Sequence, residues 1–470
     1  MKKVCLLCCM LIVARVCIHG QLLIEKLRVA VDVLEKDSQL RHGILSFYVA
    51  DGKTGKLIFQ KNPQTGMAPA STQKIITSAT VFELLGKDFR YKTMLGYKGN
   101  IENGILKGDL FITGSADPTL GSWRFTETKD EKILLQIVNT MKQHKITHIE
   151  GSIYIDESGY SIQSVPDGWI WQDIGNYYGA GSWGLNWKEN QYDLILRPGK
   201  KIGDTTKIIS QTGDSNFFSL TNTITTGQKG SGDNGYIYLP PYAVSGFTTG
   251  TIPPGGDFTI SGSMSNPPLQ FSNQLNNLLV SNNIILGKGF RFYLNSLSNQ
   301  IVWPRPEATF DSILSPVFDS INYWFLKKSI NLYGEALIKA LAKERNGFGS
   351  TEKGIEIIRD FWKQHGIEPA SLNIIDGSGL SPQNRVTTHA LVQILQYAKT
   401  RTWFPSFYEA LPVYNGMKIK SGSIGGARSF AGYHTSAGGK LFVFAIIVNN
   451  YDGSSGNIVK KMYRVLDLLK

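Results

Sequence analysis

Cysteine is almost absent from this chain of 470 residues, because all four cysteines (Cys5, Cys8, Cys9 and Cys17) lie near the N-terminus. The rest of the sequence therefore offers no disulfide, no cysteine nucleophile and no thiolate ligand for a metal. A fold without disulfides depends on the burial of a hydrophobic core. With 42% hydrophobic residues, a chain of this length can form two or three domains.

Long hydrophobic runs are also missing, since no later segment approaches the roughly 20 apolar residues of a transmembrane helix. The N-terminus has Lys2 and Lys3, an apolar run over residues 4–13 and a short exit to Gly20. This pattern is typical of a signal peptide, so we predict that residues 1–20 are removed. The protein is then exported to the periplasm or cell envelope, with no stable transmembrane segment. An uncleaved anchor is the alternative.

Dense runs of one charge are lacking as well, although the formal net charge is +12. Without a Lys/Arg run or a nucleic-acid motif, the sequence predicts no nucleic-acid partner. The basic balance is compatible with anionic polymers of the cell surface. His144 and His148 have the spacing of two ligands on a helix, but no carboxylate accompanies them. We therefore predict surface histidines, no metal and no cofactor.

The order of predicted elements indicates an α+β fold. Residues 44–50 and 56–60 form a predicted hairpin, and residues 440–448 are continuously apolar, as in a central strand buried on both faces. Helical periodicity covers residues 71–85, 319–341, 351–365, 387–399 and 457–470. Strands near both chain ends predict a core closed by the two termini. Residues 201–266, rich in Gly, Ser and Thr, predict a β-rich insert.

Three short motifs suggest a nucleophilic site. Ser71 and Lys74 are one helical turn apart at the start of an apolar helix, which gives a hydroxyl an adjacent amine base. Ser329 and Asn331 could relay protons. Lys420, with Ser421 and Gly422 on a late strand, could bind a carboxylate. The three motifs occur in the order found in penicillin-binding proteins and serine β-lactamases.

Each motif alone is weak, because the chain contains similar tetrapeptides and tripeptides elsewhere. Ser350 and Lys353 fit the first pattern but lie in a polar context, and Lys53-Thr54-Gly55 fits the third but lies in a predicted turn. A lysine acts as a base only when desolvation and neighbouring positive charge lower its pKa. The apolar helix after Ser71 favours that environment, so we select Ser71 and Lys74.

The residues around these motifs resemble the D-alanyl-D-alanine carboxypeptidase/endopeptidase family, the class C low-molecular-mass penicillin-binding proteins. The markers run over most of the chain: Pro69–Lys74, Gly108–Leu110, Gly114–Leu120, Gly168–Trp169, Trp171–Asp173, Asn176–Ala180, Lys328–Glu335, Asp376–Ser381, Lys420–Ser423 and Ala431–Tyr433. The Asp376–Ser381 run and the large insert after the first motif distinguish this family from β-lactamases.

The resemblance implies a transpeptidase-like domain, an antiparallel sheet flanked by helices, with two nested β-rich inserts. The catalytic domain would cover residues 21–95 and 303–470. Insert domain II would cover 96–165 and 265–302, and insert domain III would cover 166–264. The implied activity is cleavage of the terminal D-Ala-D-Ala bond of peptidoglycan stem peptides, with endopeptidase activity on cross-links as a further option and β-lactams as covalent inhibitors.

Site roles follow from the same resemblance. Ser71 is the expected nucleophile, Lys74 its base and Ser329 the group that passes a proton to the leaving amine, while Asn331 holds the peptide. Lys420 and Ser421 hold the terminal carboxylate, next to Gly422. The oxyanion hole is formed by the N–H groups of Ser71 and Ser423. Asp173 with Tyr178 would face the diamino acid side chain, or Asp173 would only cap a turn.

Two positions depart from the family pattern: Ile330 stands where Asp is frequent, and Ser421 where Thr is frequent. Neither removes a reacting group, so they affect rate and specificity more than reaction class. The alternatives are a serine β-lactamase or esterase on the same scaffold, and a catalytically silent cell-wall-binding protein.

Overall fold

The computed structural model of the chain describes residues 21–212 and 218–470. The predicted signal peptide, residues 1–20, lies outside them. The chain forms two compact units: unit 1 contains the residues through Ala79 with Arg359–Ile374 and Pro382–Lys470, and unit 2 contains Thr80–Ile358 and Ile375–Ser381. No helix within the described ranges is both long and apolar enough to cross a membrane.

The first segment of unit 1 begins with a helix, α1, whose described part covers residues 21–35. A hairpin and a second helix follow: β1 (Ile44–Asp51), β2 (Leu57–Lys61) and α2 (Lys74–Leu84). The boundary with unit 2 falls inside α2. The observed hairpin confirms the strands predicted at residues 44–50 and 56–60.

Unit 2 is rich in short strands and carries its helices between them. Its strands are β3 (Lys92–Glu102), β4 (Ile105–Thr113), β5 (His148–Ile149), β6 (Ile153–Asp156), β7 (Gln191–Arg197), β8 (Lys207–Gln211), β9 (Ser219–Asn222), β10 (Thr225–Thr226), β11 (Asn234–Tyr238), β12 (Ser245–Ile252), β13 (Phe258–Ser263), β14 (Ile285–Leu286), β15 (Phe290–Phe292) and β16 (Ala308–Leu314). Its helices are α3 (Asp130–Gln143), α4 (Trp171–Ile174), α5 (Pro267–Ser281), α6 (Tyr293–Ser298), α7 (Phe318–Lys327) and α8 (Asn331–Asn346).

The last part of the chain completes unit 1. Its elements are α9 (Thr351–Gln364), which the unit boundary also divides, β17 (Leu372–Asn373), β18 (Arg385–Val386), α10 (Thr388–Ala398), α11 (Phe404–Ala410), β19 (Val413–Tyr414), β20 (Met417–Ile424), β21 (Ala427–Thr435), β22 (Leu441–Asn449) and α12 (Ser455–Leu466).

Unit 1 is built on a six-stranded antiparallel sheet in the order β19-β20-β21-β22-β1-β2. The apolar strand β22 lies inside the sheet, between β21 and β1, and its seven central residues are buried. Side chains from α1, β1, β22 and α12 share one hydrophobic cluster, for example Val31, Phe47, Ile446 and Met462. The two chain ends therefore close this core, as the sequence predicts, and α12 is a packed helix rather than a membrane-surface one.

Among its described residues, unit 2 has three sheets, and hydrophobic clusters lie against them. A seven-stranded sheet holds β3–β6 and β14–β16, and packs with α3 and α5 around residues such as Leu110, Ile137 and Phe271. The second cluster lies between the sheet β13-β7-β8 and the sheet formed by β9–β12, around Leu194 and Ile237. The predicted division into one catalytic and two insert domains stays a prediction.

One predicted helix is wrong. The apolar periodicity over residues 319–341 indicates a single helix, but the structure has α7 and α8 separated at residues 328–330. Ser329, in this break, has φ = +59°, a left-handed conformation that ends a helix. The second motif therefore lies in a tight turn at the start of α8.

Candidate active site

Unit 1 brings Ser71 and Lys74 into direct contact. Ser71 lies in a 3-10 turn, Ala70–Gln73, and Lys74 is the first residue of α2. Lys74 Nζ donates a hydrogen bond to Ser71 Oγ over 3.0 Å, and the lysine side chain is fully buried. The serine and lysine thus lie on one side of a single turn, as positions i and i+3 of a helix do.

The turn that carries Ser71 is attached to the hairpin β20–β21. Ser429 on β21 donates its hydroxyl to the carbonyl of Pro69 over 2.5 Å, and its Oγ lies 3.1 Å from Thr72 Oγ1. Gly422 lies opposite Ser429 in the strand register. A Cβ atom at Gly422 would lie 2.2 Å from Ser429 Oγ and 2.5 Å from the Pro69 oxygen. Glycine at this position therefore allows the third motif to lie against the first.

Lys420 is buried on β20, two residues before this contact, with 1% of its surface exposed. Its Nζ donates to the carbonyl of Ser421 over 2.9 Å. Burial, and then the nearby charge of Lys74, lower the pKa of Lys420 well below the usual lysine value. Burial and a neighbouring like charge disfavour the charged form of Lys420, and an anionic group bound beside it would favour that form again.

Ser421 and Ser423 continue along β20 beyond Lys420, with Ser421 half-buried and Ser423 exposed. Strand β19 pairs with β20 only at Met417 and Lys418, whereas β21 pairs along the whole strand. Within the part of the chain that the structure describes, residues 421–423 therefore have a strand neighbour on one side only. The other edge of the strand has the backbone geometry needed to pair with an extended peptide.

Unit 2 contains the remaining predicted site residues, and it brings three of them together. Asn331 begins α8 and donates its side-chain amide to the carbonyl of Tyr178 over 2.7 Å. The hydroxyl of Tyr178 lies near the carboxylate of Asp173 on α4 and interacts with it. Ser329 lies two residues before Asn331 in the turn between α7 and α8.

The carboxyl of Asp173 has a raised pKa. Burial raises its pKa to about 6, and the interaction with the Tyr178 hydroxyl opposes that rise. Gly179, which follows Tyr178, has no room for a side chain, because a Cβ there would lie 1.9 Å from the carbonyl oxygen of Asp173. The segment from α4 to Gly179 is therefore tightly folded, and Asp173 interacts with Tyr178 as well as lying in a helical turn.

The loop Asp376–Ser381 is organised by its first residue. The Asp376 carboxylate accepts the N–H groups of Gly379 (2.8 Å) and Ser381 (2.7 Å) and the indole N–H of Trp169 (2.9 Å). Glu335 on α8 accepts the N–H of Gly377 at 3.1 Å. Both carboxylates accept backbone N–H groups of the Asp376–Ser381 loop, and these hydrogen bonds fix its glycine-containing turn.

Sequence reasoning missed two of these positioning residues, Glu335 and Ser429. Glu335 follows Asn331 by four residues and so lies on the same face of α8, which is a signal that the sequence contains. Ser429 lies across the hairpin from Gly422, a pairing that follows once the turn at Gly425 and Gly426 is placed. Neither residue belongs to a motif that singles it out.

The similar sequences rejected above have structural roles instead. Ser350 Oγ accepts the N–H of Lys353 over 3.3 Å near the start of α9, and Lys353 pairs with the exposed Glu356. Lys53 and Thr54 both donate backbone N–H groups to Asp51 in the β1–β2 turn. Among residues 21–212 and 218–470, no group of three or more His, Cys, Asp or Glu side chains could hold a metal ion.

Comparisons with known proteins agree over most of the chain. A family model described as the D-Ala-D-Ala carboxypeptidase 3 (S13) family matches residues 27–468. A D-alanyl-D-alanine carboxypeptidase from Actinomadura sp. (strain R39) is 23% identical, over 92% of this chain and 82% of its own length. These two matches cover both units.

Solved structures show the same fold. The crystal structure of penicillin-binding protein 4 (DacB) from Haemophilus influenzae aligns with a TM-score of 0.79 and 20% identity, covering 94% of this chain and 99% of that chain. A second structure of that protein, in complex with a β-lactam, aligns with a TM-score of 0.72 and 19% identity, covering 90% and 95%. The predicted fold class, an antiparallel sheet flanked by helices with β-rich additions, is confirmed.

Proposed function

The chain belongs to the D-Ala-D-Ala carboxypeptidase 3 (S13) family, and from this premise we propose that Ser71 is its acylated nucleophile and that the substrate is a peptidoglycan stem peptide ending in D-Ala-D-Ala. The observation that carries the proposal is the 3.0 Å contact between Lys74 Nζ and Ser71 Oγ, in a turn that Ser429 attaches to the β20–β21 hairpin, which also carries Lys420. A buried amine next to a hydroxyl is the arrangement that activates serine without a histidine.

The first step forms a tetrahedral adduct, which becomes an ester on Ser71 when the C–N bond breaks in the second step. With Lys74 in its neutral form, the hydroxyl proton of Ser71 moves to Nζ as Oγ attacks the carbonyl carbon of the penultimate D-Ala. The oxyanion is bound by the N–H groups of Ser71 and Ser423, which stabilise the charge that develops in the transition state. Lys420 and Ser421, beside Gly422, bind the terminal carboxylate of the peptide.

The second step releases D-alanine and then the shortened peptide. Ser329 delivers the proton that the leaving amine requires, while Asn331 holds the peptide. The C–N bond breaks, and water then hydrolyses the ester on Ser71 with its proton taken by the same relay. An amine bound within a D-alanyl cross-link is an equivalent leaving group, so the same machinery gives endopeptidase activity.

Asp173 and Tyr178 supply specificity in this proposal. A carboxylate that is half-buried beside a tyrosine hydroxyl suits the ammonium group of a diamino acid in the stem peptide. The hydrogen bond from Asn331 to the Tyr178 carbonyl supports a link between this pair and the peptide-holding residue. We further propose that the protein is exported, since its substrate lies outside the cytoplasm, and that β-lactams acylate it.

Intact-protein mass spectrometry after incubation with a penicillin tests the nucleophile. We expect one added penicillin per chain, located on Ser71, and release of D-alanine from a stem peptide. Ser71→Ala should abolish both. Ser350→Ala is the matched control, because it alters the other Ser-x-x-Lys sequence, and should leave both unchanged.

The same experiment separates the alternatives. Many β-lactam molecules hydrolysed per chain, with no D-alanine release, would indicate a β-lactamase. Peptidoglycan binding with no added mass would indicate a silent binding protein. Retention of the penicillin adduct and of activity in Ser71→Ala would contradict the proposal.

A further inference from the structure

The sheet formed by β9–β12 in unit 2 lacks charge. Its four strands read SLTN, TT, NGYIY and SGFTTGTI and contain no Asp, Glu, Lys, Arg or His. In a chain where 18% of residues are charged, a sheet surface without charge is unusual. Its outward side chains are aromatic rings, hydroxyls and an amide, whereas the inward Ile237 and Thr248 are fully buried.

Three aromatic rings lie in a row on this face. Trp171 of α4 lies 5.5 Å from the ring of Tyr238 on β11, and Tyr238 stacks on Phe247 of β12 at 4.7 Å with only 8° between their planes. Trp171 is 47% exposed and Phe247 is 43% exposed. Exposure of adjacent aromatic rings to water is unfavourable in free energy, and such exposed apolar surfaces mark binding sites. We call Trp171, Tyr238 and Phe247 the aromatic row.

The aromatic row is continuous with the Asp173–Tyr178 pair. Helix α4 carries both Trp171 and Asp173, and its end packs on β11, because Asn176 accepts the N–H of Ile237 over 3.1 Å. Tyr236, two residues before Tyr238 on the same strand face, lies close to Tyr178. Burial, then Asp173, then Tyr236 raise the pKa of Tyr178. The uncharged face therefore starts beside the proposed specificity site.

We propose that the aromatic row binds the glycan strand of peptidoglycan, a neutral polymer of N-acetylated amino sugars. This inference rests on the proposed function, since the stem peptide held at Asp173 is attached to such a strand. Sugar rings present C–H faces that stack on aromatic rings, while their hydroxyl and acetamido groups bond to side chains such as Thr249 and Asn234. A face without charge matches the glycan rather than the stem peptide, whose carboxylates and ammonium groups require charged partners.

A sedimentation assay on stripped cell walls tests the proposal. The probe is insoluble glycan from which an amidase has removed the stem peptides and whose freed lactyl carboxylates have been coupled to methylamine, so that it stays neutral, and the protein is the full chain carrying Ser71→Ala, so that the wall is not cut. We expect this protein to bind the stripped glycan, and Trp171→Ala and Phe247→Ala to bind about tenfold more weakly. Phe247→Leu keeps an apolar side chain but no ring, so it should fold and show a similar loss.

Trp123→Ala is the matched control, because Trp123 is 46% exposed in the same unit but lies outside the row. It should bind as well as the parent. Parent protein that ignores stripped glycan, or a Phe247→Leu variant that binds it normally, would overturn the inference. The inference would also be overturned if the variants of the aromatic row lost binding only to walls that keep their stem peptides, since the face would then recognise peptide.

Penicillin acylation keeps the two proposals distinguishable. In the chain with Ser71 intact, Phe247→Ala should be acylated at the parental rate and release D-alanine normally from a soluble stem peptide. Failure of acylation in the parent, with glycan binding retained, would remove the proposed function and leave the glycan site. Normal acylation without glycan binding would leave the proposed function and remove the glycan site.

Discussion

Burial controls the charge state of the side chains that we assign to the reaction. Lys420 is almost completely buried, and the pKa of its ammonium group falls well below normal because of burial and the charge of Lys74. Burial acts in the opposite direction on Asp173 and raises the pKa of its carboxyl to about 6. Asp173 therefore changes charge within the pH range in which such enzymes are assayed.

This titration predicts a pH-dependent preference for an ammonium group. Above about pH 6 Asp173 is ionised and attracts the diamino acid, and below it the neutral carboxyl does not. We expect kcat/KM for a stem peptide with a free side-chain amine, divided by that for the N-acetylated peptide, to rise roughly tenfold between pH 5 and pH 7.

In Asp173→Asn the ratio should be flat and low across this range. Asp167→Asn, which alters an exposed carboxylate nearby in the chain, should retain the parental profile. A pH-independent ratio in the parent enzyme would remove Asp173 from the recognition of the amine.

The pairing of Ser71 with Lys74 was predictable from the sequence, because three residues of spacing at a helix start fix which side chains are neighbours. For Glu335 the spacing of four residues from Asn331 indicates a shared helix face but not the partner, and for Ser429 the sequence offers no such spacing. Both contact backbone groups that are distant in sequence, Gly377 and Pro69, and no local pattern encodes such contacts. Their identification required the packing of α8 and of the β20–β21 hairpin.

The element that carries the second motif differs from its prediction for a physical reason. Apolar residues continue through the break between α7 and α8, and neither glycine nor proline marks it. The break is made by Ser329, which adopts a left-handed backbone that costs a non-glycine residue roughly 1–2 kcal/mol. Backbone strain of this kind is often found at functional sites.

Two substitutions at Ser329 separate its backbone from its hydroxyl. Ser329→Ala and Ser329→Gly both remove the hydroxyl, so we expect each to lower D-alanine release by about 10²-fold or more, as loss of a proton-transfer group does. Glycine adopts the left-handed conformation without strain. The free energy of unfolding of Ser329→Gly should therefore equal or exceed that of Ser329→Ala, by up to about 1 kcal/mol.

Urea unfolding and a D-alanine assay on both variants provide the test. If Ser329→Gly were inactive but Ser329→Ala active, the backbone rather than the hydroxyl would matter. If alanine gave the more stable protein, the left-handed turn would not be strained.

The contact between strand β20 and the Ser71 turn leads to a prediction about Gly422. An added methyl group would overlap Ser429 Oγ and the Pro69 oxygen, so the strand must move away from the turn. Overpacking of this kind costs about 1–3 kcal/mol. Since the displacement separates Lys420 from Ser71, we expect Gly422→Ala to slow penicillin acylation by roughly 10–100-fold.

Gly425→Ala is the matched control on the same hairpin, because a Cβ atom at Gly425 meets nothing within 4 Å. Acylation rates measured with a fluorescent penicillin should be parental in Gly425→Ala. A normal rate in Gly422→Ala would show that the close approach of strand and turn is not needed for the reaction.

At the scale of the whole molecule, the chain leaves unit 1 and returns to it within continuous helices. Two of the boundaries between the units fall inside α2 and α9, and the other two flank the glycine-containing segment Ile375–Ser381. Composition shifts mark linkers, so they could not locate the two boundaries that lie inside helices. The predictions of the central strand and of the terminal helices of unit 1 are confirmed, because the hydrophobic patterns of these elements are local and strong.

The two units also differ in how their acidic groups titrate. Burial raises the pKa of Asp117 and of Asp173 to about 6 and that of Glu157 to about 7, and all three belong to unit 2. In unit 1, hydrogen bonds hold the pKa of Asp37 and of Asp51 below the usual value, the former chiefly through Lys461. Acid should therefore act differently on the two units.

Lowering the pH from 7 to 5 should stabilise unit 2. A carboxyl whose pKa is higher in the folded than in the unfolded state destabilises the fold once ionised, so stability is greatest at low pH and is lost as the pH rises through about 6. For Asp117 alone, with 2% of its surface exposed and its pKa raised from 3.8 to about 6, the whole loss is on the order of 3 kcal/mol, of which about 1 kcal/mol falls between pH 5 and pH 7.

Hydrogen exchange, corrected for the intrinsic effect of pH on the exchange rate, measures the stability of each unit separately. Peptides from unit 2 should be better protected at pH 5 than at pH 7, while those from unit 1 should be less protected, because burial lowers the pKa of His389 and His434 and so favours their neutral forms. Asp117→Asn keeps an oxygen to accept the hydrogen bonds from Thr119 but cannot ionise, so part of the gain in unit 2 should disappear. Asp257→Asn, at an exposed carboxylate whose pKa is lowered by Arg197, should keep the full gain. Equal pH responses in the two units would contradict the assignment of the titrating carboxyls to unit 2.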